Sequence, residues 1–380
     1  MSRRCAGHPD AASEPTGPNG WQPILYSCFS RLLRVDPRRA PGIREVVRRL
    51  LRAGADPNAS FVQDGWLQVA LYGAAGIAGD PELTRMLLEA GADPTDARDG
   101  LHGNEVLYHA SEHADPACAR LVIEAGARQD LIDYDLGRAL NFPNAEMVEM
   151  FCSSGARASA GHLHQAVWRR RPPRTVAALL DAGAEIDAPD EHGLTPLRIT
   201  VRWGEEAVAA VLRDRGADQA AVTDEDRALG SFLSGRADAP PIGVPVELLD
   251  EMLILSIEGG HVDTTRRLLD GGARLDGNPA KDEVPLGQAC WRRRTVITRE
   301  LVVRGASLAF PGGGSAVGAA LHGSRHCQDP EGGPSMHTVG EIPTAPYAEI
   351  VELLLAAGAP VPDSPEASTL IAELGVSAPP

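Results

Sequence analysis

DEHGLTPLRITVRWGEEAVAAVLRDRGAD, residues Asp190 to Asp218, is the stretch that decides the fold. Thr195 before Pro196 reads as a helix start: the hydroxyl caps the first turn, and proline fills a position whose amide has no partner anyway. Gly204 ends that helix. A second helix follows, with apolar residues at helical spacing, and Gly216 stands where a left-handed cap is needed. The small Ala217 after it lets the chain turn closely against a neighbour. The whole is one helix-turn-helix unit.

The ending recurs along the chain, in VVRRLLRAGADP, LTRMLLEAGADP, TVAALLDAGAEI, TTRRLLDGGARL and VELLLAAGAPVP among others. Its glycines are Gly54, Gly91, Gly126, Gly155, Gly183, Gly216, Gly272, Gly305 and Gly358. Most gaps run from 28 to 37 residues, with two longer ones of 56 and 53. Self-similarity at such a period marks a repeat architecture, in which each unit buries its apolar face on the next.

The unit resembles the ankyrin repeat, whose pattern D-x-x-G-x-T-P-L-H-x-A-A leads to a G-H turn and a GAD ending. VPLGQA at Val284, GHLHQAV at Gly161 and EGGHVDTTRRLL at Glu258 keep fragments of it. The resemblance covers roughly residues 21 to 361. It implies an all-α solenoid of about nine helix-turn-helix repeats with β-turn fingers, and little sheet.

Departures from the pattern divide the chain. Residues 1–20 are expected to be a disordered tail, 21–222 an array of about six repeats, and 223–245 an extra helix with a Pro-rich joint. The alternative for 223–245 is a degenerate repeat. Residues 246–362 follow as about three repeats with a loop insert near 328–346, and 363–380 as a cap and tail. The short gaps around LIDYDLGRALNFPNAEMVEMF imply trimmed first helices.

WRRR occurs twice, at Trp168 and at Trp291. Alignment on Thr195-Pro196-Leu197 gives both tryptophans one register, late in a first helix, with Trp203 one position further on. In the ankyrin family, these positions and the turn before the TPL box face a concave groove and meet partner proteins. The resemblance therefore assigns Trp168, Arg169, Trp203, Trp291, Arg292, Glu191 and His192 to partner contact, and Glu112 and His113 join the same set. Two readings of the clusters fit. Arginines can solvate a helix end and complement its dipole while tryptophan shields a neighbour. Tryptophan and arginine are also enriched at interface hot spots.

Bulk chemistry narrows the function. The net charge of −16 argues against a dedicated nucleic-acid or anionic-membrane binder. Of 36 basic residues only Lys281 is lysine, a bias that points to a GC-rich bacterial genome. Six scattered cysteines without a CxxC pair read as reduced thiols in a cytosol, and no secretory signal or membrane span is apparent, so a cytoplasmic protein is expected.

No phosphate-binding loop, nucleophile elbow or HExxH stretch occurs. His322 and His326 sit four apart, followed by Cys327 and later His337, but no fourth ligand stands at standard spacing, and no metal or cofactor is expected. His162 and His164 flank Leu163 at the TPLH box, where the family's histidine ties neighbouring turns together. The reading favoured is a non-catalytic module that binds another protein. The alternative is an enzyme or small-molecule binder built on the same groove.

Overall fold

The computed structural model describes residues 9–63, 65–95, 105–281, 283–327 and 344–377, which are mostly helical. Within them no helix is long and apolar enough to cross a membrane.

One backbone device recurs at all nine glycines. Gly54, Gly91, Gly126, Gly155, Gly183, Gly216, Gly272, Gly305 and Gly358 each hold a positive φ, between 82° and 101°. The alanine after each donates its amide to the carbonyl five residues back: Ala55 to Leu50, Ala92 to Leu87, Ala217 to Leu212, Ala359 to Leu354, and likewise at the other five. The glycine amide closes the inner bond, as from Gly54 to Leu51. This is the Schellman cap, which satisfies orphan carbonyls and needs a residue free of the Cβ penalty. All nine alanines are buried, so a larger side chain would have no room as the chain turns.

The chain divides into two compact units. The first holds the described residues up to 162 and residues 178–184, and the second holds residues 163–177 and the described residues from 185 onward. In the first, α1 (Pro23–Cys28), α2 (Leu32–Val35) and α3 (Ala40–Arg52) precede a hairpin of β1 (Ser60–Gln63) and β2 (Trp66–Val69). Then come α4 (Ala70–Tyr72), extended by a π-helical turn, α5 (Pro81–Glu89), α6 (Glu105–Ala110), α7 (Ala117–Glu124), α8 (Gln129–Ala139) and α9 (Ala145–Ser153). Helices α3, α5 and α7 pack in one row, and α4, α6 and α8 in another.

Helices α10 (Ala160–Trp168) and α11 (Pro173–Asp181) contribute to both units. The second unit continues with α12 (Pro196–Trp203), α13 (Glu206–Asp214), α14 (Asp224–Leu233), α15 (Val246–Glu258), α16 (Val262–Asp270), α17 (Pro285–Trp291), α18 (Thr295–Val303), α19 (Ala316–His326), α20 (Thr344–Ala356) and α21 (Pro365–Glu373). Here α15, α17 and α19 form one row and α16, α18 and α20 the other, with a rung between the members of each pair.

Several expectations change. Over 223–245 a helix forms, α14, closed by a capping box between Thr223 and Asp226 and packed on α12, which fits an extra helix and a degenerate repeat alike. The Pro-rich joint that follows lies inside the second unit. The trimmed first helices expected at the short gaps are not seen, for α8 has 11 residues and α10 has 9. The hairpin is an addition, antiparallel with Ser60 paired to Val69. Residues 9–20 are placed, with a bridge from Thr16 to Trp21 and the Tyr26 hydroxyl donating to the Thr16 carbonyl at 2.8 Å. Residues 1–8, His337 and the insert over 328–343 lie outside the described residues, as does the side chain of His326.

Candidate functional site

The candidate site lies at the ends of α10, α15 and α17 in the second unit. Leu163, Ala166 and Val167 bury one face of α10, which leaves its last residue, Trp168, half-buried at the rim. The finger before α12 folds back to meet it. Asp190 accepts the amides of His192 and Leu194 on Oδ1, both at 2.9 Å, and its own amide bonds the Leu194 carbonyl at 3.0 Å. Such an Asx turn fixes the loop by its own side chain. The free oxygen, Oδ2, accepts the indole N–H of Trp168 at 3.0 Å. His164 adds the tie that the ankyrin resemblance implied, with Nε2 3.3 Å from the Leu194 carbonyl.

Around Trp168 the rings meet edge to face, Trp203 at 6.4 Å and His192 at 6.5 Å between centroids. His192 is exposed, and its Nε2 lies 3.2 Å from Glu251. Glu191 beside it is open to solvent. Arg170 bonds Glu205 Oε1 at 2.6 Å and the Thr264 hydroxyl at 3.2 Å, while its guanidinium sits 5.4 Å from the Trp203 ring centre.

The two WRRR segments converge on one carboxylate. Arg169 Nη1 lies 3.1 Å from Glu258 Oε2, and Arg292 donates to Glu258 Oε1. Arg294 donates to the backbone carbonyls of Ile257 and Glu258, closing the end of α15. In this surrounding His261 is pushed down to about 4, first by burial and then by Arg170, Arg294 and Arg171, so its imidazole is neutral at physiological pH. Trp291 leans on His322 at 4.7 Å, and with Arg292 and Phe310 it lines an open cleft of about 470 Å³.

Three of the expected contact residues turn inward. Trp203 is 2% exposed, and among the described residues none accepts its indole N–H. One residue of offset rotates a side chain by about 100° around a helix, which carries Trp203 from the rim to the core. Glu112 and His113, in the first unit, are buried between α6 and α7. Glu112 is held by Arg138 and by His109, and His113 Nε2 lies 2.7 Å from the Gly76 carbonyl. These three offer a partner no surface as the chain is folded.

Sequence reasoning passed over Asp190, Glu258 and Arg170. Glu258 had a signal, since it occupies the register of Trp168 and Trp291 in its own helix pair. As for reactive groups, burial raises Cys290 to about 12 and Cys152 to about 11, so neither is an activated thiolate. Among the described residues no cluster of three or more His, Cys, Asp or Glu side chains is arranged to hold a metal ion.

No family model matches the chain. The nuclear factor NF-kappa-B p105 subunit of Gallus gallus, a protein that contains ankyrin repeats, is 28% identical over 131 aligned residues. The match covers 31% of this chain and spans 13% of that protein's own length.

Proposed function

We propose that the chain is a non-catalytic ankyrin-type module that binds a protein partner over the first-helix ends and fingers of its second unit. The observation that carries the reading is the Trp168–Asp190 hydrogen bond. It holds a large, half-exposed aromatic in one orientation beside the exposed His192 and Glu191, which lowers the ordering cost of binding. The ion pairs of Arg169 and Arg292 with Glu258 steady the same rim. We take 21–222 and 246–362 as the two repeat arrays of this module.

The test is quantitative affinity capture from the source cytosol with the full chain and with a Trp168→Ala/His192→Ala double variant. A partner retained by the first and lost by the second, with both melting alike, supports the reading. Equal retention by the two would refute it. The cleft lined by Trp291, Arg292 and Phe310 favours a second reading as a small-molecule binder. That reading expects a ligand-induced rise in melting temperature that disappears in Phe310→Ala.

A further inference from the structure

Arg170 and Arg293 hold one backbone position in two helix pairs, and among the described residues Arg170 has a carboxylate partner while Arg293 has none. Their φ angles are 54° and 60°. The amide after each closes the same turn, Arg171 to Ala166 and Arg294 to Ala289, as Glu205 to Thr200 and His261 to Ser256 do elsewhere. Those other two turns place Gly204 and Gly260 at the corresponding position, with φ of 73° and 71°. A non-glycine residue in the left-handed region costs on the order of 1 kcal/mol or more. Something must offset that cost twice.

For Arg170 the return is visible in Glu205 and Thr264. Arg293 has nothing comparable. It is 6% exposed, yet among the described residues none accepts from Nε, Nη1 or Nη2. Its one described neighbour of note is the ring of Tyr347, 5.9 Å away, and Tyr347 is fully buried with its hydroxyl donating to the Trp291 carbonyl at 2.7 Å. A guanidinium cannot shed its proton to escape burial, and an unpaired buried charge is costly.

We propose that Arg293 is the anchor of a phosphate-binding site between the end of α17 and the first turn of α20. The planar fork would take two oxygens of one ion. Arg292 and Arg294 on either side of it are turned to Glu258 of α15, so Arg293 alone faces Tyr347, and its charge has no carboxylate among the described residues. Nε of Arg292 is likewise buried and without a partner. The open cleft lined by Trp291 and Arg292, the two residues before Arg293, is the approach assigned to the ion. The site does not depend on the partner reading, and either can fail without the other.

The test melts the full chain in increasing inorganic phosphate at constant ionic strength, near pH 8, beside an acetate series. Arg293→Gly and Arg293→Asn are measured in parallel, since both residues accept a positive φ. The melting temperature of the unaltered chain should rise by several degrees and saturate with phosphate, acetate having little effect. Arg293→Gly should melt at or above it in chloride and ignore phosphate. The same response in the variants, no response in the unaltered chain, or an equal effect of acetate overturns the site. Should neither variant fold, titration calorimetry of the unaltered chain with phosphate decides, and absence of saturable heat overturns it.

Discussion

Arg169 and Arg292 grip one carboxylate from opposite sides, Arg169 on Oε2 of Glu258 at 3.1 Å and Arg292 on Oε1. The repeated WRRR is thus one register used twice and joined through a third helix pair. Because all three side chains are partly shielded, the pairs fall between weak surface bridges and fully buried ones. Glu258→Gln is expected to lower stability by roughly 1–3 kcal/mol in denaturant melts. Combined with Arg292→Ala, it should lose less than the sum of the two single changes, since both remove one interaction. Strict additivity would mean that the two residues do not interact in solution.

The first unit carries a titratable group of opposite behaviour to His261. Burial pushes the His109 imidazole down, but hydrogen bonds to Glu105 at 3.0 Å and Glu112 at 3.2 Å, with their charges, reverse this and raise it to about 9. A histidine whose folded value lies above its free value stabilises fully below about pH 6.5 and loses that contribution as pH rises through 9. Denaturant midpoints should therefore fall between those limits, with a slope of up to about 1.4 kcal/mol per pH unit. His109→Gln should flatten that slope. For His261 the sign is reversed: its contribution is present above about 6.5 and is lost as pH falls towards 4.

Close helix packing supplies a third expectation. A Cβ built on Gly323 of α19 would collide with the backbone carbonyl of Trp291 at the end of α17. Backbone cannot move aside as a flexible side chain can. Gly323→Ala should cost roughly 1–3 kcal/mol by overpacking, while Gly42→Ala, which meets nothing within 4 Å, should cost little. Equal melts of the two variants would contradict the packing of α17 on α19.

What could be read in advance follows from the range of the interactions. The Schellman caps are local: glycine, the buried alanine and a leucine or similar residue five back write them in one short stretch, and all nine formed. The shared register of Trp168 and Trp291 is local too. The hairpin was also legible, in FVQDGWLQV, where alternation around Asp-Gly is a hairpin signal that the dominant repeat pattern obscured. Glu112 is different. Its burial depends on Arg138 from α8, 26 residues on, and no local pattern announces that reach. The convergence on Glu258 is likewise a product of how helix pairs pack.

The Trp168 and Trp203 side chains touch edge to face, yet they should answer truncation in opposite ways. Trp203 fills the core beneath α12, so Trp203→Ala should open a cavity and cost roughly 3–5 kcal/mol of stability. Trp203→Phe should be much milder, because it keeps most of the ring and removes an indole N–H that has no acceptor among the described residues. Trp168 stands at the rim with its N–H on Asp190, and Trp168→Ala should cost about 1–2 kcal/mol, the hydrogen bond and part of the ring contact. In partner binding the order should invert: Trp168→Ala weakens it by about 2 kcal/mol or more, whereas Trp203→Phe leaves it nearly unchanged. Denaturant melts of the three variants measure the first order without any partner, and capture assays measure the second. If Trp168→Ala is as damaging to stability as Trp203→Ala, Trp168 belongs to the core and the rim loses its aromatic anchor.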